Sequence, residues 1–183
     1  MLNSAFLVMA TSVLLGQTDK TGIPDDAANS LGYYVGTWQG EWKENDAVHS
    51  VQFTISWERG RHCTIARGRV KGPDSEIRVT LLSGWDALNR EVVDFSYGSD
   101  GSHSIERWKI ASSTVEEAVS TGASGSGKPT QAIIRTEKEG PDKFTQRITG
   151  RREGDESKPD ILIEFRRVKN SETPGKRKRN KDD

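Results

Sequence analysis

The sequence predicts an all-β fold, an antiparallel up-and-down meander of about eight to ten strands that closes into a barrel. Beyond residue 33, apolar and polar residues alternate with the two-residue period of half-buried strands. Turn-forming residues separate these runs at short, regular intervals, and no segment there sustains helical periodicity over three turns. A long meander must twist, and closing it into a barrel removes its exposed edges.

The N-terminal part of the chain predicts export. Residues 1–18 contain an apolar run of signal-peptide length, too short to span a bilayer comfortably. We interpret it as a cleaved signal peptide, the alternative being a helix packed on the domain. The polar residues 19–32 then form a linker, with helical character around Asp25–Ala28. The expected location is extracytoplasmic, periplasmic or secreted, with no membrane span after signal removal, and a single cysteine, Cys63, is compatible with it.

Ten strands are predicted within one barrel domain over residues 33–169. The clearest alternation places Val51, Phe53 and Ile55 on one face of a strand, with Trp57 continuing that face. Three other strands show the same pattern in the sets Ile77/Val79/Leu81, Val93/Phe95/Tyr97 and Ile161/Ile163/Phe165. The ten predicted strands cover residues 36–44, 47–58, 61–70, 75–84, 90–97, 103–111, 114–121, 130–138, 143–151 and 160–168.

The turns between these strands favour hairpins. Ser99–Ser102 contains Asp-Gly and Glu139–Asp142 contains Gly-Pro-Asp, which supply the backbone angles of tight reversals. Residues 170–183 contain no large apolar residue and are predicted to form a disordered basic tail. Although Lys176–Arg179 resembles a nucleic-acid patch, Lys plus Arg and Asp plus Glu both number 27. We therefore expect a solvated tail and no specific nucleic-acid partner.

The predicted first strand carries a Gly-Thr-Trp opening. Four residues of this strand share one face: Gly36, Trp38, Gly40 and Trp42. The glycines are expected to leave room for the indoles to lie flat across the barrel floor. The opening resembles the first-strand motif of lipocalin-like barrels. That resemblance implies that an arginine of the last strand, Arg166 or Arg167, packs on the tryptophan, and it favours a structural plug over a ligand contact.

A second resemblance extends over residues 33–168. The segments that follow the Gly-Thr-Trp opening are Gly84–Arg90, Val93–Ser96, Ser99–Gly101 and Glu106–Trp108. Their order and spacing are similar to a lipocalin-like domain of secreted bacterial proteins, often found after a SnoaL-like domain. The resemblance implies a lipocalin-like barrel and export, and it implies no chemistry.

Several kinds of site are not supported by the sequence. The segment Gly122–Lys128 matches Gly-x-x-x-x-Gly-Lys, but Pro129 stands where Mg²⁺ binding requires Ser or Thr, and a strand follows instead of a helix. We expect no nucleotide partner. Because His49, His62 and His103 lack metal-ligand spacing, we also expect no metal and no cofactor.

Six residues are candidates for ligand binding: Trp38, Trp42, Trp57, Arg67, Glu106 and Trp108. If Cys63 and Ile65 point inward, Arg67 shares their face, while Glu106 shares a face with Trp108. A Glu/Arg pair inside a tryptophan-lined cup either orients a polar ligand or forms a paired structural charge, and the structural pair is favoured.

The leading functional hypothesis is an exported, non-catalytic barrel that binds a small apolar or aromatic molecule. One alternative is an enzyme that uses Glu106 beside Arg67 in the barrel. Another is an accessory interaction module whose interior is filled by side chains. No catalytic triad or nucleophile elbow is recognisable in the sequence, so a binding role is favoured over an enzyme. The sequence does not fix the ligand or the oligomeric state.

Overall fold

The computed structural model describes residues 22–169, which form an all-β protein with one short helix. The predicted signal peptide and the predicted basic tail lie outside the described residues. The helix α1 spans Asp25–Tyr33. The eleven strands are β1 (Gly36–Glu44), β2 (Ala47–Trp57), β3 (Cys63–Lys71), β4 (Glu76–Asp86), β5 (Glu91–Gly98), β6 (His103–Ile110), β7 (Val115–Ala123), β8 (Pro129–Lys138), β9 (Lys143–Glu153), β10 (Glu156–Ser157) and β11 (Ile161–Arg167).

Ten of the strands close into an antiparallel barrel. Each strand from β1 to β8 pairs with the next one along the chain, and β11 pairs with both β9 and β1. The two-residue β10 pairs only with β9 and takes no part in closure. The predicted meander and its closure are confirmed, and the barrel is consistent with a lipocalin-like one. No helix within residues 22–169 has the length and apolar character needed to cross a membrane.

The seam, which is the pairing between the first and last barrel strands, β1 and β11, explains the second glycine of the first strand, Gly40. Gly40 lies opposite Phe165 across the seam. A Cβ at Gly40 would lie 2.8 Å from Ile163 Cγ2 and 3.1 Å from Phe165 Cδ1. The space beside Gly40 is therefore filled by side chains of β11, and not by the indoles predicted from the sequence.

The helix α1 lies across one end of the barrel. Asp25 and Asp26 in its first turn interact favourably with the helix dipole. Its buried face includes Ala27 and Leu31, which pack in one cluster with Trp108 of β6 and other barrel residues. The sequence predicts a linker here, with helical character only around residues 25–28. The helix extends to residue 33, where it buries this face on the barrel instead of standing alone.

The inward faces of β2, β4 and β11 match the prediction. Val51, Val79 and Ile163 are representative residues of these faces, and all three line the barrel interior. On β5 the faces are reversed, because Val92, Asp94 and Ser96 line the interior instead of the residues between them. Of the predicted apolar set of β5, Phe95 and Tyr97 are 46% and 67% exposed on the outside.

Candidate ligand-binding cavity

The barrel interior contains a cavity of about 370 Å³. It extends from Ser30 of α1 and Tyr34, which directly follows the helix, to Trp42 and Val70 near the opposite end of the barrel. This volume falls within the roughly 300–1,000 Å³ of small-molecule sites. Most of the wall is apolar, and its aliphatic and phenylalanine side chains include Val51, Phe53, Ile55, Val79, Leu81, Ile134, Phe144, Ile148, Ile163 and Phe165.

The structure brings together four of the six predicted site residues. Trp38, Trp42, Glu106 and Trp108 all line the cavity. Trp57 does not line it, because its ring lies at the end of β2 beside Gly32 of α1 and packs against the cluster around the helix. Trp57 therefore supports the end of the barrel that the helix covers, and it does not contribute to the cavity wall.

Arg67 also lies away from the cavity, so the predicted Glu106–Arg67 pair does not form. Residues directly opposite each other on paired strands point to the same side of a sheet. Phe53 lines the interior and pairs with Gly68 of β3, so Arg67, one residue earlier, points outward. The inward face of β3 carries Thr64, Ala66 and Val70. The premise that Cys63 and Ile65 face inward was wrong.

Trp38 forms part of the floor of the cavity near the helix. Its side chain is buried, and Nε1 donates to the carbonyl oxygen of Tyr34 at 2.8 Å. The guanidinium of Arg167 lies 4.2 Å from the ring centroid. The same guanidinium donates to the carbonyl oxygens of Val35 at 2.6 Å and Tyr33 at 2.9 Å. Arg167 is thus the last-strand arginine that packs on this tryptophan, and the contact fixes the floor.

Trp42 lines the cavity near the opposite end. Its ring stacks on His49, with centroids 5.0 Å apart and an interplanar angle of 14°. The Nε1 atom of Trp42 is buried and has no hydrogen-bond partner among the described residues. An unpaired buried N–H is costly, of the order of 1–3 kcal/mol, so this donor is suited to an acceptor on a bound molecule or water.

Asp94 and Glu106 form an acidic pair in the middle of the barrel wall. They lie directly opposite each other on β5 and β6, and both side chains line the cavity. Cβ atoms in such pairs are about 5 Å apart. Trp108 Nε1 donates to Asp94 Oδ2 at 2.9 Å, and the hydroxyl of Ser104 lies 3.4 Å from Glu106 Oε1. Asp94 Oδ1 is buried without a hydrogen-bond partner among the described residues.

Burial raises the pKa values of both acids, and in each case the charge of a neighbouring carboxylate adds to the effect. The pKa of Glu106 is raised from 4.5 to about 8, first by burial and then by the charge of Asp94. The pKa of Asp94 is raised from 3.8 to about 6, first by burial and to a smaller extent by the charge of Glu116, although Ser83 and Trp108 favour its ionised form. At neutral pH the pair therefore shares about one proton and carries about one negative charge.

Glu116, a third acid of the cavity wall, is saturated by partners. It is 3% exposed and pairs with Lys138 Nζ. It also accepts hydrogen bonds from Ser30 Oγ at 2.5 Å and from Tyr34 OH at 2.7 Å. Burial, together with Glu116, raises the pKa of Tyr34 well above its ordinary value. This network attaches α1 to the barrel and leaves the Asp94–Glu106 pair as the acidic group that faces the cavity without a basic partner in residues 22–169.

No Lys, Arg or His is among the described residues that line the cavity. Within residues 22–169, no group of three or more His, Cys, Asp or Glu side chains is placed to hold a metal ion. The cavity is thus an apolar chamber with one acidic side.

Sequence reasoning missed Asp94, Ser83, Ser96 and Glu116 as cavity residues. The signal for Asp94 was its pairing with Glu106, whose inward face had been recognised from Trp108. To predict this pairing from the sequence, one must know the length of the β5–β6 loop, because that length sets which residues of the two strands lie opposite each other.

Comparison with known proteins gives no family assignment. No protein-family model matches the chain. No curated protein matches it either.

Proposed function

We propose that this protein is an exported, lipocalin-like, non-catalytic barrel that binds a small apolar or aromatic molecule inside the barrel. The main support is the cavity of about 370 Å³ with its largely apolar wall. Filling such a chamber removes apolar surface of both partners from water, by roughly 25 cal/mol per Å². Trp38, Trp42 and Trp108 supply flat aromatic surface to it.

The two alternatives receive less support. The enzyme hypothesis required Glu106 beside Arg67, and Arg67 lies on the outer face of β3. The interaction-module hypothesis required an interior filled by side chains, whereas the barrel interior contains a cavity of about 370 Å³. Neither alternative explains the unpaired Trp42 Nε1 in the cavity wall.

Binding is tested with a neutral aromatic probe whose fluorescence rises in apolar surroundings, N-phenyl-naphthylamine. The wild-type protein is titrated with the probe, and native mass spectrometry gives the stoichiometry. We expect saturable binding of one molecule per chain. Val79→Trp should abolish or strongly weaken binding, because Val79 lines the cavity and the larger side chain fills it.

Val48→Trp is the matched control, because Val48 is an exposed valine on the outer face of β2. It should bind the probe like the wild type, and circular dichroism should show both variants to be folded. The proposal fails if a broad library of apolar and aromatic compounds leaves the tryptophan fluorescence unchanged and native mass spectrometry detects no bound molecule.

Export is tested separately by expressing the full chain in a bacterial host and measuring the intact mass of the protein in each cell fraction. We expect a processed form, cleaved near residue 18, in the periplasm or medium. Retention of the full-length chain in the cytoplasm would contradict export and leave the binding proposal intact.

A further inference from the structure

The cavity has an acidic side that the described residues leave unbalanced. Asp94 and Glu106 face each other across β5 and β6, and no basic side chain within residues 22–169 lines the cavity. Glu116 differs, because Lys138 neutralises it and the hydroxyls of Ser30 and Tyr34 donate two further hydrogen bonds to it. A buried carboxylate without a cationic partner is costly, which makes this pair the strongest polar determinant of what the cavity can accept.

We infer that the molecule bound in the barrel is an amphipathic amine, whose protonated nitrogen lies between Asp94 and Glu106 and whose apolar body fills the chamber. This inference rests on the proposed function and specifies its ligand class. It uses two observations beyond the acidic pair, the cavity volume of about 370 Å³ and the buried Oδ1 atom of Asp94, a lining residue, which has no hydrogen-bond partner among the described residues.

The chemistry of the pair favours an ammonium group over the alternatives. An ammonium has three donors, enough to serve Asp94 Oδ1 and an oxygen of Glu106 together. A neutral alcohol has one donor and leaves the negative charge unbalanced. An anion would be repelled. A metal ion would find only these two carboxylates, because no larger ligand group exists within the described residues.

The remaining wall defines the rest of the ligand. Phe53, Val79 and Ile163 contribute to an apolar surface that suits a hydrocarbon or aromatic body. Towards the other end, the free Nε1 donor of Trp42 suits an acceptor atom distant from the amine. The structure thus favours a molecule with a cationic end and an apolar body, optionally with one hydrogen-bond acceptor.

Amine binding should release a proton near neutral pH. The free pair shares about one proton, held mainly by Glu106 because its pKa is about 8. An ammonium beside the pair favours ionisation of Glu106, and the displaced proton passes to the buffer. The other charged or titratable groups near the pair are Glu116 with its partner Lys138, and Tyr34, and these are already bonded to one another.

The test compares three ligands with the same chain, decylamine, decanol and decanoate, by isothermal titration calorimetry at neutral pH below their micellar concentrations. For the wild-type protein we expect decylamine to bind at least about tenfold more tightly than decanol, a difference of about 1.4 kcal/mol, and decanoate to bind most weakly. Measurements in buffers of different ionisation enthalpy should show release of up to about one proton with decylamine and none with decanol.

The variant Asp94→Asn/Glu106→Gln keeps the shape of the pair and removes its charge. It should bind decanol at least as well as the wild type, and the amine preference and proton release should disappear. Glu41→Gln/Asp155→Asn, which makes the same two types of substitution at exposed positions, should retain both. Equal wild-type affinities for decylamine and decanol would overturn the amine inference and leave the proposed function standing. If none of these three ligands nor the neutral aromatic probe binds, the proposed function fails as well.

Discussion

The acidic pair makes the stability of the barrel depend on pH in an unusual direction. The folded-state pKa of Glu106 is raised to about 8, whereas the unfolded chain retains an ordinary value near 4.5. Between these values the folded protein holds a proton that the unfolded protein has lost. The free energy of unfolding therefore falls as the pH rises through this window, and the full stability contribution is present only below it.

The size of the effect follows from the two pKa values of Glu106. Each pH unit between 4.5 and about 8 corresponds to about 1.4 kcal/mol, so the total approaches about 5 kcal/mol. About 3 kcal/mol of this loss falls between about pH 6 and pH 9. Asp94 acts in the same direction, but mainly in the more acidic range between 3.8 and about 6.

Glu106→Gln isolates this contribution, because glutamine has nearly the same shape and does not ionise. Urea unfolding followed by circular dichroism at about pH 6 and pH 9 should show that the wild type loses about 3 kcal/mol and that Glu106→Gln loses much less. The control Glu41→Gln, at an exposed position of β1, should lose as much as the wild type. The reasoning is refuted if the wild type is equally or more stable at pH 9, or if Glu106→Gln shows the same loss.

Two further predictions concern stability and use the same unfolding assay. Arg167→Lys should lower the free energy of unfolding by about 2 kcal/mol, because lysine cannot both stack on the buried tryptophan and reproduce the guanidinium hydrogen bonds. The control Arg166→Lys, at an exposed neighbour, should change it by less than about 0.5 kcal/mol. An equal effect of both variants would contradict the role of the seam arginine. Gly68→Ala should lower the free energy of unfolding by about 2 kcal/mol or more, because its Cβ would lie 2.2 Å from the carbonyl oxygen of Gln52. The control Gly84→Ala, whose nearest contact is at 3.5 Å, should be nearly neutral. An equally neutral Gly68→Ala would contradict this prediction and show that β2 and β3 separate easily.

The alternation of apolar and polar residues and the composition of the turns were sufficient to predict the barrel, because each of these patterns lies within a single strand or loop and can be recognised without knowing the tertiary contacts. The ten predicted strands correspond to the ten strands of the closed barrel within a few residues at their ends. The last-strand arginine on Trp38 followed from a family resemblance, and the structure identifies it as Arg167. The helix α1 was underestimated, because what stabilises it is the barrel surface it buries and not its own propensity.

The candidate site was harder to predict, because the face of a strand depends on its register. On β5, the set Val93, Phe95 and Tyr97 suggested an inward apolar face, and a two-residue turn at Asp100–Gly101 would have agreed with it. The observed pairing of Tyr97 with His103 leaves a five-residue loop, which places Asp94 opposite Glu106. A change of one residue in loop length exchanges the two faces of a strand, and no local pattern reveals that length reliably.

The pairing of the first barrel strand with the last has a consequence for how the chain matures. Trp38 and Arg167 are partners in this pairing, so the ring cannot close until almost all of the described chain has been synthesised. Until then, the growing sheet has two unpaired edges that invite aggregation, and contacts this distant in sequence form slowly. Slow closure therefore prolongs the time during which the unpaired strand edges are exposed after synthesis.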